Sequence, residues 1–103
     1  TLPDRLPDEQ NAYHLFPILV GGGKRDALHD YLAEKGIGTV IHYPIPPHHQ
    51  ECYAKESWNT PQLSLPITER IAEEELSLPM GPVITIKDAA IVVGLLNQYV
   101  RRD

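Results

Sequence analysis

The stretch Arg25 to Tyr43, RDALHDYLAEKGIGTVIHY, contains a change of periodicity that decides the fold class. Its first part places Leu28, Tyr31 and Leu32 on one face and Arg25, Asp30 and Glu34 elsewhere, which predicts a helix over about Asp26 to Lys35. Gly36 can take the left-handed conformation that closes a helix, and Ile37 is then placed to touch Leu32, the contact of a Schellman ending. The second part changes to period two. Thr39, Ile41 and Tyr43 alternate with Val40 and His42, predicting a short strand that Pro44 breaks.

Working outward, Ala12 to Val20 carries the β-prone Tyr13, Phe16, Ile18 and Val20 and predicts a strand, with Pro17 favouring an edge or a bulge. The triplet Gly21-Gly22-Gly23 ends it. No Walker or Rossmann spacing follows, so a flexible turn is the better reading than a phosphate loop. On the other side, Pro44 to Pro66 is proline-rich and irregular, with at most a helical turn near Gln50 to Lys55. A helix over Ile67 to Leu76 is expected to turn Ile67, Ile71 and Ala72 inward and Glu69, Arg70, Glu73 and Glu74 to water. An extended Leu78 to Met80 follows. Thr85 and Asp88 have capping-box spacing and start a last helix reaching about Val100, with Ile86, Ala89, Ala90, Val93 and Leu96 expected to be buried. The order of elements describes an α/β (α+β) unit, a two-layer sandwich of a small sheet covered by helices.

Composition bounds the function. A chain of 103 residues, 42% apolar, supports one core of modest depth. Its 14 acidic against 9 basic residues give no broad attraction for phosphate backbones, so nucleic-acid binding is not expected. The longest apolar run, Ala89 to Leu96, is far shorter than the ~20 residues of a spanning helix, so no membrane partner is expected. The single Cys52 cannot form an internal disulfide, which fits a reducing, cytoplasmic setting. Residues 1 to 11, bearing Pro3 and Pro7 among charges, suggest a linker or an ordered wrap ahead of a domain over 12 to 103.

The densest polar cluster is His42, Tyr43, His48 and His49, on a strand end and a segment stiffened by Pro44, Pro46 and Pro47. Proline fixes φ, so these rings are oriented at low entropic cost, which suits groups that hold a ligand. Imidazole and phenol both donate hydrogen bonds to phosphate or sugar oxygens. Three other readings stand beside this one: a metal held by His42, His48 and His49, though no cysteine or carboxylate partner has zinc spacing; a proline-rich recognition segment; and plain packing of the rings.

His42-Tyr43-Pro44-Ile45-Pro46-Pro47-His48, followed by Gln50 and Tyr53, resembles the characteristic segment of the DegT/DnrJ/EryC1/StrS aminotransferase family. Tyr13-His14-Leu15-Phe16, Arg25, Leu28, Tyr31-Leu32 and Gly36-Ile37-Gly38 upstream, and Leu65-Pro66, Glu69 and Leu76-Ser77-Leu78-Pro79-Met80 downstream, resemble that family's C-terminal small domain in order and spacing. His49, Glu51-Cys52 and the glycine triplet depart from its usual residues. The resemblance implies the small domain of a fold-type I enzyme dependent on pyridoxal phosphate. Such an enzyme acts as a homodimer that moves an amino group, commonly from glutamate, to a nucleotide-linked keto-sugar for lipopolysaccharide or related pathways. It implies substrate-binding roles for His42 and Tyr43, and for His48 either that role or packing. Lys24, Lys35, Lys55 and Lys87 lie outside the family's catalytic context, so these residues alone are expected to hold no cofactor and to be inactive. A sugar dehydratase of the same family, or a free-standing sugar- or protein-binding module, remain alternatives.

Overall fold

The structure, a computed structural model, describes residues 1–4, 7, 10, 12, 14–58, 60 and 62–101. Strand β1 (Phe16–Leu19) leads through the glycine turn into helix α1 (Arg25–Glu34). Two 3₁₀ turns (Pro47–His49 and Glu51–Tyr53) occupy the proline-rich stretch, where a helical turn was expected. Helix α2 (Pro66–Glu74), strand β2 (Glu75–Leu78) and helix α3 (Ile86–Val100) complete the α+β unit. No helix among the described residues is long and apolar enough to cross a membrane. Tyr13, expected in the first strand, and residues 5, 6, 8, 9 and 11 of the expected linker lie outside the described residues.

The sheet is an antiparallel pair in which Phe16 faces Leu78 and Leu19 faces Glu75. Beyond the strand ends the Val20 amide donates to the Glu74 carbonyl at 2.8 Å. Because inward and outward amides alternate along an antiparallel ladder, the amides of Val20, Ile18 and Phe16 are on the β2 side and positions 17 and 19 turn away. The Leu19 amide accordingly donates to the Thr1 carbonyl on the other edge at 2.9 Å. Pro17, which has no N–H, occupies a position where β2 requires none.

Ile18 and Leu76 form a cross-strand pair on the apolar face, where they pack with Leu28, Tyr31 and Leu32 of α1. Leu95, Leu96 and Tyr99 of α3 close over this cluster. Leu32 and Leu76 are fully buried, each stabilising by about 1.5–3 kcal/mol relative to an exposed side chain. All three α1 residues expected to face inward do so. Its ending also has the expected form. The Ile37 amide donates to the Leu32 carbonyl and the Gly36 amide to that of Ala33, both at 2.9 Å, with Gly36 at φ 78°.

Three expectations require correction. The segment Thr39 to Tyr43 is not a strand: it keeps one antiparallel bridge, Val40 to Ser77. In that register the next hydrogen-bonded pair is His42 with Glu75. The His42 amide donates instead to the Glu75 side-chain oxygen Oε2 at 2.6 Å, which ends the ladder after one rung. Second, α2 stops at Glu74, and Glu75 and Leu76 belong to β2 rather than to the helix. Pairing Leu76 with Ile18 buries both, which outweighs the local helical pattern of the acidic run. The extended segment therefore begins three residues before Leu78.

Third, the inward faces of the last two helices differ from expectation. In α2 Ala72 is buried, but Ile67 is 71% exposed and Ile71 40%. In α3 the buried residue is Val92, while Ile86, Ala89, Ala90 and Val93 are exposed and Leu96 is half-buried. Apolar residues surround α3 on most sides, so periodicity cannot select the face that meets this core. Its start is as expected: the Asp88 amide donates to Thr85 Oγ1 and the Thr85 amide to Asp88 Oδ2, a complete capping box.

Gly36→Ala should lower stability by about 1 kcal/mol, since a side chain at positive φ is strained although nothing crowds the position. The measurement is a lower urea midpoint with an unchanged denaturant slope.

Candidate functional site

Three chain segments converge beside β2. Arg25 at the start of α1 donates from Nη1 to the Ala72 carbonyl at 2.6 Å, satisfying an unpaired acceptor in the last turn of α2. This contact sets α2 against the sheet. The proline-stiffened segment after Val40 then lies along α2, and the two enclose a cleft of about 250 Å³. His42, Tyr43, Ile45, Gln50, Thr68 and Ile71 are among its lining residues. Gln50 braces the segment by donating from Nε2 to the Ile45 carbonyl at 3.0 Å.

His42 is half-buried and Tyr43 is 72% exposed, so neither ring is lost to the interior. Their rings meet edge to face with centroids 5.5 Å apart. Behind His42 lies a polar chain that the sequence reading missed. His42 Nδ1 is 3.0 Å from Ser77 Oγ, and the Ser77 hydroxyl donates to Glu75 Oε1 at 2.6 Å. Glu75 and Ser77 are only 3% and 4% exposed. Burying a carboxylate costs several kcal/mol unless its oxygens are hydrogen-bonded. Here the His42 amide and the Ser77 hydroxyl each serve one oxygen.

His48 is placed differently. It is 4% exposed and does not line the cleft; its Nε2 lies 2.9 Å from Glu69 Oε1. At this position it ties the loop to α2. Glu69 Oε1 also accepts from the Leu65 amide at 2.8 Å, at the start of α2. These two hydrogen bonds, the Leu65 amide first and then His48, hold the Glu69 carboxyl below the usual carboxylate range. An ionised carboxylate can only accept, so His48 Nε2 carries the proton.

The metal triad of His42, His48 and His49 is not assembled. Among the described residues the grouping is His48, His49 and Glu69, with ligand atoms within 4.8 Å of one another. Its carboxylate is already engaged by Leu65 and His48. Lys24, Lys35, Lys55 and Lys87 are all exposed.

The profile of the DegT/DnrJ/EryC1/StrS aminotransferase family matches residues 1–97. This chain belongs to that family. Among its DegT/DnrJ/EryC1/StrS relatives is the dTDP-3-amino-3,6-dideoxy-alpha-D-galactopyranose transaminase of Aneurinibacillus thermoaerophilus, 43% identical over 95% of this chain and 25% of the relative. Another is the dTDP-3-amino-3,4,6-trideoxy-alpha-D-glucose transaminase of Streptomyces venezuelae, 37% identical over 98% of this chain and 26% of the relative. The crystal structure of S. venezuelae DesV in complex with a ketimine intermediate superposes with a TM-score of 0.81 at 37% identity, covering 95% of this chain and 25% of that one. The chain thus spans about a quarter of the length of these relatives. Its small α+β fold is one found within fold-type I enzymes of the family.

The depressed carboxyl of Glu69 gives a signed expectation for pH. A carboxyl whose folded-state pKa lies below its unfolded value stabilises fully above the unfolded value, and that contribution fades as pH falls through the folded one. The stability difference between the native chain and Glu69→Gln should therefore be present at neutral pH and shrink below roughly pH 4. Denaturation midpoints across that range measure it.

Proposed function

We propose that residues 12–103 are the C-terminal small domain of a nucleotide-sugar aminotransferase dependent on pyridoxal phosphate, and that residues 1–11 link it to a larger cofactor-bearing domain. The full enzyme moves an amino group from a donor such as glutamate to a keto-sugar carried on a nucleotide. Lipopolysaccharide or a related glycan is the destination we favour, in the cytoplasm and by a homodimer. The observation that carries this reading is the cleft presenting His42 and Tyr43 on a chain whose curated relatives include transaminases named for dTDP-sugars.

The shape of the chain supports a partner domain. Its radius of gyration is 16.2 Å, against about 13 Å for a compact domain of this length. Its accessible surface is 7957 Å², against roughly 5800 Å² for a compact monomer of this mass. Large apolar side chains, among them Ile86, Ile91 and Val93, are exposed on it. A groove of about 690 Å³ is lined by Phe16, Ile37, Leu78, Met80, Ile91 and Val93, among others.

The four exposed lysines support placing the cofactor attachment outside these residues, which leaves the piece inactive alone. The cofactor, when bound, supplies an electron sink for transfer of the amino group. The role proposed for this chain is to bind and orient the sugar. Tyr43 Oη can donate to a sugar or phosphate oxygen, and His42 bonds a polar group beside it. Ile45 and Ile71 give the cleft an apolar part beside these polar groups.

In the full-length enzyme, His42→Ala and Tyr43→Phe should each raise KM for the nucleotide sugar about tenfold, the loss of one hydrogen bond. Cofactor absorbance should stay unchanged. Steady-state kinetics with each variant check this, and unaltered KM in both would remove the two residues from the substrate site.

A further inference from the structure

Resting on the proposed substrate cleft, we infer that Glu75, acting through Ser77, holds His42 in its Nδ1–H tautomer, so that the ring offers Nε2 to a ligand as an acceptor for a sugar hydroxyl. The argument is a proton count. Both Glu75 oxygens are placed as acceptors, Oε2 for the His42 amide and Oε1 for the Ser77 hydroxyl, each at 2.6 Å. A serine hydroxyl has one proton. Once that proton points at Glu75 Oε1, Ser77 Oγ faces His42 Nδ1 with a lone pair at 3.0 Å. Were Ser77 to donate to His42 instead, its oxygen and Glu75 Oε1 would meet lone pair to lone pair at 2.6 Å. The Nδ1 proton is therefore the one consistent with an ionised Glu75, and Nε2 of a neutral ring is left unprotonated.

Among the described residues no side chain hydrogen-bonds His42 Nε2, and His42 lines the cleft. An unprotonated Nε2 cannot donate to a phosphate oxygen, which only accepts. It does accept from a hydroxyl. His42 is thereby assigned to the sugar rather than the pyrophosphate of the substrate, and Tyr43, which keeps a donor, is the group available to an anionic oxygen. Glu75 and Ser77 are positioning residues: they act on the ligand through His42. Their burial explains how the tautomer is held, since water cannot replace either bond.

The test is the protonation pattern of His42 in the full-length protein labelled with ¹⁵N-histidine, with the His42 signal assigned by its loss in His42→Gln. At about pH 8, above the ordinary imidazole range, long-range ¹H–¹⁵N correlations should show Nδ1 protonated and Nε2 bare. An Nε2–H tautomer, or a doubly protonated ring at that pH, overturns the inference. Ser77→Ala should admit the Nε2–H form and raise KM for the nucleotide sugar about tenfold with kcat little changed, and Ser77→Thr should restore both. A rescue that fails on a folded protein counts against the role of Ser77. The spectrum of the native protein needs no variant to fold and no activity to be present. If it shows the expected tautomer while His42→Ala leaves KM unaltered, the proton chain stands and the substrate-site assignment falls. A panel of nucleotide sugars, each with one hydroxyl replaced by hydrogen, should contain one member whose KM is insensitive to Ser77→Ala. If every member stays sensitive, the hydroxyl contact is refuted.

Discussion

Strand β2 is shared between two partners by the alternation of an antiparallel strand. The ladder to β1 runs through alternate residues, with the Glu74 carbonyl taking the Val20 amide, while Ser77 turns its amide and carbonyl the other way to Val40. The same alternation divides the side chains. Leu76 enters the apolar core, whereas Glu75 and Ser77 are buried on the opposite face, where the His42 segment arrives. Register and chemistry are thus one constraint. A slip of one residue would send Glu75 into the leucine core and Leu76 against His42.

That constraint explains why the His42 segment is irregular yet ordered. A backbone amide buried near a sheet must find an acceptor, and Glu75 supplies a carboxylate where its carbonyl would have continued the ladder. The segment is released from strand geometry after one rung and passes directly into the proline-braced turns along α2. The resulting cleft has one wall set by the sheet and the other by α2, itself tied to α1 through Arg25. His48 acts at the far end of the segment, where its bond to Glu69 ties it to the first turn of α2.

The exposed apolar surface belongs to the same economy of scale. The two short strands and three helices among the described residues do not enclose every apolar residue of α3, and Ile91 and Val93 are left lining a broad groove with Met80 and Phe16.

How much was legible from sequence follows the range of the interactions. Helix α1, its glycine ending and the capping box of α3 depend on contacts within about four residues, so their side-chain spacing alone determined them. Proline spacing and family resemblance single out His42 and Tyr43 locally, and the fold places both in the lining of the cleft. The boundary between α2 and β2, the loss of the expected strand at Thr39 to Tyr43 and the burial of Glu75 were not. Glu73-Glu74-Glu75 reads as a solvated helical run until pairing with β1 claims its last member. Which face of α3 is inward and which atoms support His42 are likewise set by groups more than thirty residues apart. Local periodicity is blind to such pairings, and only the packed chain brings them together.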